Sequence, residues 1–288
     1  VDLAGAIEAI RRRMAALFED TPSAGSDRWI EPGEIEEQLE GHKSGLFLGV
    51  YSEEIAARAL EARGVLAALR RRTGADVRVR VDGEEGILRI YRAGPPAGGA
   101  EEPGALLVEV KARLERGGAP PPGRPEGFPR VDLLVIDWIL LQDPGRPFPP
   151  GRRALPGQRH PGLGLGREVL ASIVAAARRL EAKGVVAVPQ YYHAAVLYHR
   201  SFAFIDPVEE GRFQALARDL AGLSFEEAAF AVHEGRVRDA TFDRPLAWRG
   251  TEMTMPLCDE IRGYLSSAAY IDAAARTFFG TRFEVRAP

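Results

Sequence analysis

Cysteine is almost missing from this chain: Cys258 is the only one in 288 residues. A single thiol cannot close an intrachain disulfide, so no oxidising compartment is required. Lysine is scarce as well, present only at Lys43, Lys111 and Lys183. Arginine supplies the rest of the positive charge, which we read as genomic base composition rather than a binding role. Neither sign of charge dominates: 38 basic against 41 acidic residues leave a net charge of −3. Such a balance gives no strong electrostatic case for binding DNA, RNA or an acidic membrane surface. No apolar run reaches the roughly 18–20 residues of a membrane span. The first residues, Val1–Ile10, carry Asp2 and Glu8 in a helical pattern, unlike a signal peptide. The expectation is a cytoplasmic protein with neither nucleic acid nor membrane as partner. The histidines (His42, His160, His193, His199, His233) lack a ligand spacing, so no metal is expected. A P-loop, a nucleophile elbow, an HExxH helix and internal repeats are all missing.

What is present suits one large domain or a domain with appendages. Residues 2–18 repeat Leu3, Ile7, Ile10, Met14 and Leu17 at helical spacing, and 31–41 reads as a second short helix. Neither carries chemistry, so residues 1–44 form an N-terminal helical extension. GLFLGVY at 45–51 reads as a short buried strand. Ser52 is an N-cap for a helix running to about Arg72 with a break near Gly64. Three strands follow at 75–82, 86–92 and 105–114, separated by Pro/Gly-rich loops. They predict an antiparallel meander feeding a strand at 133–141. That strand is nearly all apolar, so it is central and covered on both faces.

The richest stretch runs from Val131 to Pro207. After strand 133–141 comes a Pro/Arg-rich loop ending in RHPGLGLG, then a helix whose stripe is Val169, Leu170, Ile173, Val174, Ala177 and Leu180. Gly184 is a fitting C′ residue for it. A short strand at 185–190 and a second helix beginning near His193 complete the unit. Gly162, Gly164 and Gly166 let backbone N–H groups turn toward a ligand, and the helix N-terminus adds unpaired donors. The combination favours a phosphate or pyrophosphate; the same glycines also suit a plain tight connection. G-x-G-x-x-G would need glycine at Arg167 or Val169, so a dinucleotide fold is disfavoured.

These residues resemble the GNAT acyltransferase superfamily. Its acyl-CoA loop, Q/R-x-x-G-x-G/A, is matched by Arg159-His-Pro-Gly162-Leu-Gly164, with Gly164-x-Gly166 as the alternative register. Its later helix signature is similar to Ala194, Leu197, Tyr198 and Phe204 here. The resemblance covers about 45–207. It implies an α/β fold of the α+β kind: a mixed, mostly antiparallel central sheet flanked by helices, with N- and C-terminal helical extensions. It further implies acetyl-CoA or another acyl-CoA as cosubstrate, an amine acceptor and direct acyl transfer. The pyrophosphate would lie on the amides of Gly162, Leu163, Gly164, Leu165, Gly166 and Arg167, beside Arg159. The pantetheine arm would lie between splayed strands 133–141 and 185–190. Tyr198 matches the position that protonates the departing thiolate; the alternative is a ring packed on the core.

A base must take the amine's proton. Asp137 is the only charged residue of strand 133–141, on the face of Val135 and Ile139. A part-buried carboxylate there would have a raised pKa, as a base needs; a purely structural hydrogen-bonded role is the alternative. His193 is the second candidate. Tyr191 stands where the family often has Asn, and Ala203 where it has Gly. A GNAT-like protein that binds acyl-CoA or another anion without catalysis is therefore the alternative function. Residues 208–288 read as a mainly helical C-terminal extension, able to cover the acceptor side or form a homodimer interface. Its aromatic residues, Trp248 among them, are expected in the core.

Overall fold

The computed structural model describes residues 2–19, 45–93, 106–118 and 123–286; the helix expected at 31–41 lies outside them. Among the described residues are nine helices and ten strands. Helix α1 is Leu3–Glu19. After it come α2 (Glu53–Ala62), α3 (Val65–Thr73), β1 (Val77–Asp82), β2 (Ile87–Arg92), β3 (Leu106–Glu115) and β4 (Leu133–Leu141). The central unit continues with α4 (Gly166–Arg179), β5 (Gly184–Ala187), α5 (Tyr192–Tyr198) and β6 (Ala203–Phe204). Then follow α6 (Pro207–Asp219), α7 (Phe225–His233), β7 (Val237–Asp239), β8 (Arg244–Pro245) and β9 (Met253–Pro256). The chain closes with α8 (Asp259–Ser266), α9 (Ala268–Gly280) and β10 (Phe283–Val285).

Seven strands form the main sheet in the order β1-β2-β3-β4-β5-β9-β6, and β10-β7-β8 form a small second one. Strands β1 to β4 are the antiparallel meander that alternation predicted. The β4–β5 pair is the one parallel step in this sheet, and α4 is the crossover such a step needs. Strand β9 lies antiparallel between β5 and β6. It comes from the segment set apart above as a C-terminal extension, so that segment completes the central sheet rather than standing beside it. Alternate side chains fill two cores. Leu134 and Ile136 pack with α2, α3 and α4; Leu133 and Val135 pack with α1, α8 and α9. No described helix is long and apolar enough to cross a membrane.

Local signals explain most boundaries. The Ser52 hydroxyl accepts from the Ile55 N–H at 3.3 Å and starts α2. Gly64, at φ +72°, separates α2 from α3. Two expectations fail. Residues 45–51 form a turn closed by one Phe47–Tyr51 bridge, not a strand. Gly184 is not the C′ residue of α4: Glu181 takes the left-handed conformation at φ +58°, while Gly184 opens β5. Its lack of a side chain serves packing, since a Cβ there would stand 2.8 Å from Ile261 Cδ1.

The deepest polar cluster surrounds Glu210, which is fully buried. Its carboxylate meets His199 Nε2 at 2.7 Å and accepts from the Phe204 N–H at 2.9 Å and Gln214 Nε2 at 2.7 Å. Arg13 of α1 donates to the carbonyls of His199 and Phe202. The Tyr270 hydroxyl donates to the Phe204 carbonyl at 2.6 Å. Burial alone would raise the Glu210 pKa. The facing His199, the Arg13 charge and the Phe204 amide outweigh it and pull the carboxyl down to about 2. A depressed carboxyl pKa stabilises the fold above the unfolded value, and the contribution is lost as pH falls toward about 2. Glu210→Gln leaves His199 and Arg13 without their buried anion. It should cost about 3–5 kcal/mol at pH 7 and flatten the acid limb of stability against pH. Urea unfolding at pH 7 and pH 3 checks this; an unchanged midpoint and acid limb would contradict the assignment.

Candidate functional site

The site sits at the C-terminal end of the parallel strands. β4 pairs with β5 only from Leu133 to Ile136. On its other side Ala112 opposes Ile136 and Lys111 opposes Trp138, which leaves Asp137 unpaired as a β-bulge. The extra residue reverses the alternation. Leu134 and Ile136 face one core before the bulge; Ile139 and Leu141 pack against that same core after it. Beyond the bulge β4 runs on without β5, which ends at Ala187.

The loop after β4 returns to its end: the Asp143 N–H donates to the Pro161 carbonyl at 2.8 Å. Arg92 holds the buried Asp143 carboxylate at 2.6 Å. In the following GLGLG run, Leu163 and Leu165 are buried while Gly162, Gly164 and Gly166 are exposed. The two leucines anchor the loop and leave the glycine backbone at the surface. Gly164 has φ +64°, a conformation that side-chain-bearing residues rarely adopt. Leu165 caps α4 without a side-chain hydrogen bond. Among the described residues no group accepts from the amides of Gly164, Gly166 or Arg167. Arg72 donates to the Leu163 carbonyl at 2.5 Å. Arg72, Arg159 and Arg167 are all exposed. Unpaired amides at a helix start are a geometry that can receive an anion, and Arg72 is the guanidinium that the contacts place against this loop.

A cavity of about 340 Å³ opens beyond the end of β5. The first turn of α5 supplies Tyr191, Tyr192 and His193, α7 supplies Ala229, Val232 and His233, and the strap before β9 supplies Leu246 to Trp248. Pro156, from the loop after β4, closes one side. Tyr191 stacks on His193 with ring centroids 5.4 Å apart and lies 6.1 Å from His233. Trp248 Nε1 donates to the Pro189 carbonyl at 3.3 Å, and its ring meets Tyr192 edge-on at 5.6 Å. His193 is buried; desolvation, and then the neighbouring His233, lower its pKa. A lowered pKa favours the neutral imidazole, the form that can accept a proton. A smaller void of about 70 Å³ among apolar side chains such as Phe47, Ile90 and Ile173 is a packing gap between α2, α4 and the sheet.

The expected residues are only partly brought together. Arg159 is exposed on the loop that leads into the 162–167 run at the start of α4, and His193 lines the cavity. Asp137 does neither. It is exposed, not part-buried, because the bulge turns it away from the core, and it no longer shares a face with Ile139. It pairs with Arg113 at 3.3 Å, the end of an ionic chain through Glu115 and Arg124 to Glu252. Tyr198 ends α5, its ring 5.5 Å from Phe202 and packed on the core. Burial raises its pKa, and its hydroxyl bonds to no described residue. It does not line the cavity. Five residues along a helix separate it from His193 by about 7.5 Å and 140°. Sequence reasoning missed His233 and Trp248 as cavity residues. They lie far from His193 in the chain, and only the insertion of β9 between β5 and β6 brings them near.

The imidazole of His193 should titrate below 6.5, and His233→Ala should move it upward. The NMR shifts of the ring protons against pH measure this; titration at or above 6.5 would contradict the buried, His233-coupled environment.

Compared with family models, curated proteins and solved structures, the chain has no significant match.

Proposed function

We propose that this chain is an acyl-CoA-dependent N-acyltransferase of the GNAT type, with acetyl as the simplest acyl group. One observation carries the reading. A glycine cradle with unpaired amides and three exposed arginines stands where β4 parts from its parallel neighbour. The order of elements that the resemblance implies, from α2 through the meander to α5, also agrees with this reading.

In this account the amides from Gly162 to Arg167 bind the CoA pyrophosphate, with Arg159 and Arg72 adding charge. The pantetheine arm lies between the diverging ends of β4 and β5. The acceptor nitrogen attacks the thioester carbonyl. An N–C bond forms and the C–S bond breaks. The nitrogen's proton passes to a base and the departing thiolate takes a proton from Tyr198, so an amide and free CoA thiol leave. Tyr198 keeps its proton at neutral pH because burial raises its pKa. His193 is the better base, since Asp137 is exposed and ion-paired. The packing of Tyr198 against Phe202, outside the cavity lining, favours a second reading: an acyl-CoA binder without catalysis.

Calorimetric titration with acetyl-CoA tests the first reading. The variant of choice is Gly162→Glu, because a Cβ there has only ordinary contact, 3.7 Å from the Leu141 carbonyl. Wild type should bind in the micromolar range, and the added carboxylate should weaken binding by at least about tenfold. Tyr198→Phe should bind normally and lose about 10²–10⁴-fold in turnover. Unchanged turnover would remove Tyr198 from the mechanism. No binding of acetyl-CoA, longer acyl-CoAs or CoA would overturn both readings.

A further inference from the structure

We infer that the cavity between α5, α7 and the Leu246–Trp248 strap is the acceptor site, and that it takes a planar arylamine rather than an aliphatic polyamine. The assignment as an acceptor site rests on the transferase reading; the ligand chemistry rests on the cavity alone.

Among the described residues, no Asp, Glu, Lys or Arg lines this cavity. An aliphatic polyamine arrives with several positive charges, which are best held out of water by paired carboxylates. An arylamine is uncharged at neutral pH and needs none. The lining is instead aromatic: Tyr191, Tyr192 and Trp248, with the imidazoles of His193 and His233. The Tyr191–His193 stack and the Trp248 hydrogen bond to Pro189 fix the orientation of these rings. Fixed rings present flat faces for offset stacking. At about 340 Å³ the cavity is at the small end of the range for small-molecule sites, roughly 300–1,000 Å³.

The position also fits. Arg152 lies 3.8 Å from Glu226 of α7, and the Arg153 guanidinium sits 4.1 Å over the Phe230 ring. These contacts dock the loop after β4 onto α7, so the loop that ends in the anion cradle also walls the cavity. A donor on the cradle and an acceptor in the cavity would thus be held by one continuous segment. His193 would receive the proton that the arylamine nitrogen loses as its bond to the acyl carbon forms.

Binding of 4-methylaniline by calorimetry, without any CoA compound, tests the ligand class. Ala229→Trp fills the cavity from α7, and Trp248→Ala removes a wall. Acetyl-CoA titration of the same samples shows whether each variant is folded. We expect saturable arylamine binding, weakened about tenfold or more in both variants, with spermidine failing to compete. Arylamine binding that is missing, or unchanged in both variants, overturns the inference, as does competition by spermidine. If acetyl-CoA fails to bind while the arylamine binds at this cavity, the transferase reading falls and the arylamine site stands.

Discussion

The buried Glu210 carboxylate holds together the edge that carries the candidate site. Helix α5 spans only Tyr192–Tyr198, and a helix that short does not persist on its own propensity. Its C-terminal end is fixed from outside. Glu210 of α6 binds His199, the next residue in the chain, and the Phe204 amide of β6. Arg13 of α1 holds the carbonyls of His199 and Phe202 from the opposite face of the sheet. Two further elements, α1 and α6, therefore converge on the turn between α5 and β6. The orientations of His193 and Tyr198 follow from that turn. A charge this deep is costly unless fully paired, and here each carboxylate oxygen is engaged.

The second constraint is the bulge at Asp137. A regular β4 would continue its alternation and carry Asp137 toward the core of Val135. The extra residue bends the strand, sets the carboxylate on the surface and frees the far half of β4 from β5. The glycine loop lies against the freed end of β4, with Gly162 and Gly166 beside Leu141. One irregularity thus removes an expected base and creates the opening that the proposed chemistry uses.

The sequence carried much of this fold. The Ser52 cap, the meander and the limits of β4 were readable because each is local: a cap, an alternation, an apolar run. The glycine loop before α4 was readable for the same reason. The bulge was not, since DWILL reads as unbroken strand and only the partner β3 reveals the slip in register. β9 was missed because Met253–Pro256 is four residues long, buried throughout and without alternation. Missing β9 also meant missing the cavity, which exists because the chain from β6 to β9 loops out and returns beside β5. Gly184 misled for a physical reason: a glycine needed for close packing against Ile261 looks like a helix terminator.

The central claim is that the amides following β4 bind the acyl donor. Hydrogen–deuterium exchange with and without acetyl-CoA tests it most directly, because the amides of Gly164, Gly166 and Arg167 have no partner among the described residues to protect them. The account predicts that the ligand slows exchange at residues 162–168 and around 186–190, with the rest of α4 unchanged. Ligand-induced protection confined to other regions, or none at saturating acetyl-CoA, would contradict it.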